Sequence, residues 1–332
     1  MTSPHSDAHT PTIATALTTA EATAVLGDPG LRAAWSRHRA AFTVIGIDRL
    51  VGAAAGLTPA AGDLDPSVLA TALATHGGPA VVFAAAAHID LPYNLARRAL
   101  SLDHLTGGRS GVLLGSRDSR GRTENAWSGA GLGADAELGA ETTADTARAV
   151  VELWQSWPLD SIVGDKDSGI LVRSDRIRRV DHRGATRTAG PLSIPTSLQG
   201  TPVLGRYGTD PRARFRGPGD FAVLGGLPDR AAVATATEIP GRALAEASIQ
   251  NLDEAAGLLT AGAHGLLLRT TAGGTPAETA ASLLHTDLAV RFPEAVPPGR
   301  TTLRDSLALS PPADLLSAAP AAFTTPSANV YR

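Results

Sequence analysis

Residues Ala80 to Leu114 read AVVFAAAAHIDLPYNLARRALSLDHLTGGRSGVLL. A continuous apolar run, Ala80–Ala86, is followed by apolar residues at helical spacing from Pro92 to His104, and a second apolar run begins at Gly111 and ends at Leu114. Asp90 is placed to cap the helix, Pro92 suits its first turn, and the Gly107–Gly108 pair stops it. Two buried strands joined by a crossover helix run parallel. The segment therefore predicts one strand–helix–strand unit of a parallel sheet.

Outward from this unit the pattern repeats. Apolar runs bounded by Gly, Pro or Asp occur at Thr12–Leu17, Phe42–Ile47, Pro202–Leu204, Phe221–Leu224, Ala232–Ala236 and Gly265–Leu268. Helical spacing fills Pro66–Thr75, Thr143–Trp154 and Leu252–Ala261. Eight strands alternating with helices in 332 residues predict a closed (β/α)8 TIM-like barrel across residues 12–310. Residues 160–201 are too long for a simple crossover; Gly169–Val172 and Ile177–Val180 predict an inserted β-hairpin there. Residues 1–11 read as a disordered N-terminal tail, and the Ala/Pro-rich residues 311–332 as a loosely held C-terminal tail.

Composition excludes several function classes. Hydrophobic residues make up 43% and charged residues 18%, and no apolar run is long enough to cross a bilayer. The net charge is -3, and the basic residues, all arginine except Lys166, are scattered, so neither nucleic acid nor membrane is an expected partner. The chain has no cysteine, which removes disulfides, thiolate metal sites and thiol nucleophiles. His5 and His9, and the Asp165–Gly169 run without a later Glu, give no full metal-ligand set. The polar N-terminus has no secretory pattern, so the cytoplasm is the expected compartment.

Four ordered motifs carry a resemblance. Leu91–Arg109, then Leu153-Trp154-Gln155-Ser156-Trp157, then Val180–Gly184 with Gly190-Pro191-Leu192 and Ser197–Pro202, and finally Thr302-Leu303-Arg304, resemble the luciferase-like flavin-dependent monooxygenases. The likeness is to the branch with the nitrilotriacetate, pristinamycin and dibenzothiophene-sulfone enzymes. It implies a (β/α)8 barrel, reduced FMN delivered by a separate flavin reductase, oxygenation of a small organic substrate, and a homodimer paired through helices beside the barrel.

In a barrel the ligand sits beyond the C-terminal strand ends. There the resemblance implies cofactor-binding roles for Asp48, Ala86, Asn125, Tyr207, Gly208 and Asp210, and a catalytic role for His88. Asp48 suits a flavin contact or a cap on the following helix. His88 suits a ring contact, an acid–base group or a structural histidine. Asp103, His104 and Arg109 flank a helix end at the opposite, stability face and read as structural.

The chain also departs from the family. Ala84–Ala87 replaces a hydroxyl after the third strand, Ala136 and Ala140 stand where a His and a Tyr are expected, and Arg206–Asp210 aligns with the phosphate turn Gln-Ala-Gly-x-Ser. A carboxylate at Asp210, about 4 Å from a phosphate, would repel it by about 4 kcal/mol at an effective dielectric near 20. These losses together keep a second reading open, a non-catalytic homologue that binds a small molecule or acts as a scaffold.

Overall fold

The computed structural model describes residues 10–52, 64–119, 137–212, 217–237, 242–295 and 301–323. The unit read from Ala80 to Leu114 is one part of a closed ring of eight parallel strands, as expected. The ring begins with β1 (Thr12–Leu17), β2 (Phe42–Ile45), β3 (Ala80–Ala86) and β4 (Ser110–Gly115). Two antiparallel hairpins interrupt it: β5 (Ile162–Asp165) with β6 (Ile170–Val172), and β7 (Asp181–Arg183) with β8 (Arg187–Ala189). It resumes with β9 (Val203–Gly208), β10 (Phe221–Leu224), β11 (Ala243–Ser248) and β12 (Gly265–Arg269), and β12 pairs with β1, Thr12 beside Gly265.

Around the ring lie α1 (Thr19–Gly27), α2 (Pro29–Arg37), α3 (Pro66–Ala74), α4 (Pro92–Thr106), α5 (Ala140–Gln155), α6 (Arg230–Thr237), α7 (Leu252–Thr260) and α8 (Pro276–Leu284), followed by the short α9 (Leu288–Arg291) and α10 (Leu303–Ser306). Side-chain oxygens start several of them. Thr18 and Glu21 form a capping box on α1, Asp65 caps α3, and Thr275 with Glu278 repeats the box on α8. Such caps stabilise a helix by about 1 kcal/mol each. Asp90 does not cap α4 as expected: its carboxylate turns back to accept from the Ala86 N–H at 2.9 Å and to pair with Arg98.

Strand alternation divides the core in two. Residues such as Ile13, Leu17, Ile45, Val81, Phe83 and Leu114 pack outward against the helices. Ala14, Ala16, Phe42, Val44, Val82, Ala84, Ala86, Leu113, Tyr207, Phe221, Val223, Leu244 and Leu267 fill the barrel itself. Phe42 and Phe221 lie 5.4 Å apart at its N-terminal end, and Leu303 and Leu307 of the α10 region join the same cluster and close that end.

Three of the stretches that carried the resemblance, the end of Leu91–Arg109, Ser197–Pro202 and Thr302–Arg304, meet at this closed end. Asp103, fully buried, accepts from Ser110 N at 3.2 Å, Ser110 Oγ at 2.9 Å, Gln199 Nε2 at 2.6 Å and the Ser197 hydroxyl. Arg304 pairs with Asp220 at 2.6 Å and reaches Thr201, while its N–H donates to Gln199 Oε1 at 3.1 Å. The structural reading of Asp103 therefore holds.

Three expectations are corrected. The insertion carries two hairpins rather than one. Ala232–Ala236, expected as the seventh strand, belongs to α6, with the Ala232 N–H bound by Asp229 at 2.8 Å. The strand that fills the gap is Ala243–Ser248. A short alanine-rich run suits helix or strand equally, and Glu246 broke the apolar pattern of the true strand. Residues 311–323 are also held down. Gln155 bonds to Ala313 O and Leu315 N at 2.8 Å, and Arg179 N and Ala322 N extend the contact through Pro320 O and Ile177 O.

Candidate functional site

Because the ring strands are parallel, Asp48, His88 and Tyr207 all lie at its C-terminal mouth. Between β4 and β9 the mouth holds a cavity of about 360 Å³. One wall is the segment after β4, Ser116 and Arg117; the second is the start of α5, Gly139, Ala140 and Thr143; the third is the run Arg206–Asp210. The N-cap of α5 is Gly139, which has no side chain to accept from the first N–H groups, and among the described residues no side-chain cap takes its place. Thr143 donates to Ser116 Oγ at 2.9 Å, placing two hydroxyls beside that helix start. Burial pushes the Arg206 guanidinium down to about 10, which leaves it cationic at neutral pH. Asp210 is turned into its own loop, accepting from Arg212 N at 2.9 Å.

The floor of the mouth is polar on one side. Tyr207 points inward and crosses above Gly225, where an added Cβ would lie 1.8 Å from the hydroxyl. It donates to Glu246 Oε2 at 2.8 Å, and that oxygen also accepts the Gly226 N–H at 2.9 Å. Arg269 pairs with the other oxygen of Glu246, which is wholly buried. Burial pushes the Glu246 carboxyl up against the pull of Arg269. All three partners donate, so the geometry holds the carboxylate. Burial, reinforced by that carboxylate, likewise pushes the Tyr207 phenol up.

On the other side the floor is made of small residues and covered by a strap. After β2 the chain turns at Gly46 (φ 82°), makes a 3-10 turn over Ile47–Arg49 that touches β1 and β3, and reaches Gly52 (φ 92°). Leu50 packs on Gly115, where a Cβ would lie 2.9 Å from Leu50 Cδ2. Gly52 packs against Thr209, and its carbonyl faces Gly226. The strap is tied to the segment after β4 by Val51 N to Arg117 O (3.1 Å), Ser119 N to Arg49 O (2.7 Å), Ser119 Oγ to Asp48 O (2.6 Å) and an Arg49–Asp118 ion pair.

No family model matches the chain. It is 34% identical over 146 residues to dibenzothiophene-sulfone monooxygenase of Rhodococcus erythropolis, covering 42% of this chain and 30% of that protein. It is 31% identical over 156 residues to nitrilotriacetate monooxygenase component A of Aminobacter aminovorans, covering 44% and 32%. These alignments span about a third of the relatives' length. Among solved structures, a long-chain alkane monooxygenase superposes with a TM-score of 0.66 at 15% identity over 93% of this chain and 96% of that one. A riboflavin lyase superposes at 0.61 and 17%, over 90% and 95%. These structures show the shared fold. Over those aligned stretches the chain is similar to monooxygenases of the branch that its motifs point to.

The expected site residues divide into three groups. Tyr207, Gly208 and Asp210 line the cavity together. Asp48, Ala86 and His88 are buried at the same end, none of them on the cavity wall. Asp48 holds a helix start, but that of α1 rather than of the following helix: its carboxylate accepts from Thr19 N at 2.7 Å and Thr19 Oγ1 at 2.8 Å. His88 donates its N–H to Ser116 O at 3.1 Å, extending the β3–β4 pairing into the mouth. Ala86 donates its N–H to Asp90. Asn125 and Ala136 lie outside the described residues.

Sequence reasoning missed Ser116, Arg117, Thr143, Glu246 and Arg269. Arg117 and Arg269 each follow an apolar strand run within three residues, so strand ends alone would have flagged them. Glu246 was hidden with its strand. Among the described residues no group of three or more His, Asp or Glu is placed to hold a metal. No described helix is long and apolar enough to cross a membrane.

Proposed function

We propose that this protein binds reduced FMN at the barrel mouth and oxygenates a small organic substrate, with a separate flavin reductase supplying the reduced cofactor. The observation that carries the reading is the cavity between β4 and β9. Its uncapped helix start, paired hydroxyls and arginines match the chemistry of a phosphate monoester, which prefers backbone N–H donors and guanidinium groups. The phosphate end of FMN therefore fits. Arg117, Ser116, Thr143 and Gly208 would hold it, taking over from the turn serine that Asp210 replaces.

In this reading the bound reduced flavin supplies the electrons that activate dioxygen. The chain's own part is to bind, orient and keep water out. Tyr207, fixed by Glu246, would set the height of the ring above the barrel. Asp48, Ala86 and Asn125 would border it, and the His88 imidazole would serve as the acid–base group. The homodimer and the cytoplasmic location belong to the same proposal. The groove of about 920 Å³ between α3 and α4, with Val68 53% and Leu105 74% exposed, is the face we assign to the second subunit.

A second reading, a non-catalytic homologue, is favoured by one set of facts: the polar groups near the ring position already serve the protein, Asp48 on Thr19 and Tyr207 on Glu246. Titration of purified protein with FMN, followed by flavin fluorescence and absorbance, separates the two. Quenching with a shifted flavin spectrum is expected. A flat titration with both oxidised and reduced FMN would remove the flavin reading and leave the second.

A further inference from the structure

The strap from Gly46 to Gly52 covers the barrel mouth beside the β4–β9 cavity, whose wall includes its Val51. The inward residues beneath it on three strands are the smallest available: Ala14 and Ala16 on β1, Ala84 and Ala86 on β3, and Gly115 on β4. Barrel interiors are normally filled by bulky branched residues from the strands themselves. Here the volume is filled from outside the strands, by Ile47 (0% exposed) and Leu50 (2%), which belong to the same apolar cluster as Ala84, Ala86 and Tyr207. The hollow is thus built into the strands, and its filling is carried on a separate segment.

That segment has the build of a removable part. It is bounded by glycines in the left-handed region, Gly46 and Gly52, the latter packed on Thr209 at the cavity rim. Among the described residues it is tied to the segment after β4 by three hydrogen bonds, from Val51 N, Ser119 N and Ser119 Oγ, and by the Arg49–Asp118 ion pair, and to α1 by Asp48 on Thr19, with a single bridge at Leu50 and Asp118 in place of a continuous ladder. Gly115 completes the seat: any side chain there would collide with Leu50.

Resting on the reading that the mouth binds a planar phosphorylated ligand, we propose that Leu50 holds the place of that ligand's ring. The Gly46–Gly52 strap must lift from the Ala16–Ala84–Ala86–Gly115 floor before the ring can seat, with Arg49–Asp118 as its latch. Leu50 then decides which ring is admitted, and the β4–β9 cavity takes the phosphate in either strap position. A site that is competent only when open binds with an apparent Kd raised by the inverse of the open fraction.

The test compares wild type with Asp118→Asn, which weakens the latch, and Leu50→Ala, which empties the seat. Folding is checked by circular dichroism. Amide hydrogen exchange at Val51 and Ser119 reads strap opening, and FMN fluorescence reads binding. The expectation is exchange at both amides about tenfold faster in Asp118→Asn, with FMN association faster by a similar factor and Kd about tenfold lower in Leu50→Ala. Unchanged exchange in folded Asp118→Asn overturns the proposal, as does faster exchange with FMN affinity unaltered in both variants. If none of the three proteins binds FMN, the flavin reading fails by itself. The seat is then read with the planar aromatic anion 8-anilinonaphthalene-1-sulfonate, whose binding should rise in Leu50→Ala; no rise overturns the proposal.

Discussion

Replacing Glu246 by alanine strips the acceptor from three donors at once: the buried Arg269 guanidinium and Tyr207 hydroxyl, and the N–H of the exposed Gly226. Removing one partner of a buried ion pair costs about 3–5 kcal/mol, because the surviving charge is left without compensation. Tyr207→Phe removes one hydrogen bond and keeps the ring over Gly225, a loss of about 1–2 kcal/mol. Glu246→Leu combined with Arg269→Met removes both charges and fills the space, and such apolar replacements of buried pairs are often neutral. The expected order of stability is wild type, then Tyr207→Phe and the double variant, which leaves the Tyr207 hydroxyl without its acceptor, then Glu246→Ala. Urea unfolding followed by Trp fluorescence measures it, through midpoints at constant slope. If Glu246→Ala unfolds within about 1 kcal/mol of wild type, or the double variant is no better than the single one, the mouth is not held by this cluster.

Three further outcomes follow from the geometry. His182 sits between Glu152 (2.9 Å) and Asp145 (3.1 Å), joining the second hairpin to α5; the hydrogen bond it donates to Glu152, then the one to Asp145, raises its pKa above 6.5 despite burial. A raised folded pKa gives stability that is full below the unfolded value and lost as pH rises through the folded one. The thermal stability difference between wild type and His182→Gln should therefore shrink upward from about pH 6.5; a difference that is flat or grows with pH counts against the clamp. Asp48→Ala should cost about 1–2 kcal/mol through loss of the α1 contact with Thr19, and FMN affinity should fall as well only if Asp48 also borders the ring; equilibrium unfolding and FMN titration separate the two roles. Gly225→Ala places a methyl inside the Tyr207 ring position, so the Tyr207–Glu246 bond should break, with a loss of about 1–3 kcal/mol in urea unfolding; a variant as stable as wild type would show that the ring lies elsewhere.

The parallel barrel was legible because its signals are local. Ala80–Ala86, Pro92 and Gly107–Gly108 each declare strand, helix start and helix stop within a few residues. The motifs around Asp103, Gln199 and Arg304 were legible for a different reason: they are specific polar groups that lock the closed end, and such groups tolerate few replacements. The mouth was far less so. Tyr207, Glu246 and Arg269 come from β9, β11 and β12 and meet only once the ring has closed. Glu246 also disguised its own strand, since a carboxylate on an inward position contradicts the apolar pattern by which buried strands are recognised. Leu50 read as an ordinary apolar residue, because nothing in the local sequence says that Gly115 lies beneath it.

Closing the ring by pairing β1 with β12 also governs how the chain is made. Synthesis adds roughly 5–20 residues per second, and roughly 250 residues separate the two strands, so β1 emerges more than about ten seconds before its second neighbour exists. For that interval β1 and β2 form part of an open sheet with a bare edge, and the Thr12–Leu17 run carries no charge to discourage a wrong partner. Production of the soluble protein should thus respond to chaperone supply and to slower translation more than to any change at the mouth, and fragments ending before Gly265 should aggregate rather than accumulate as folded halves.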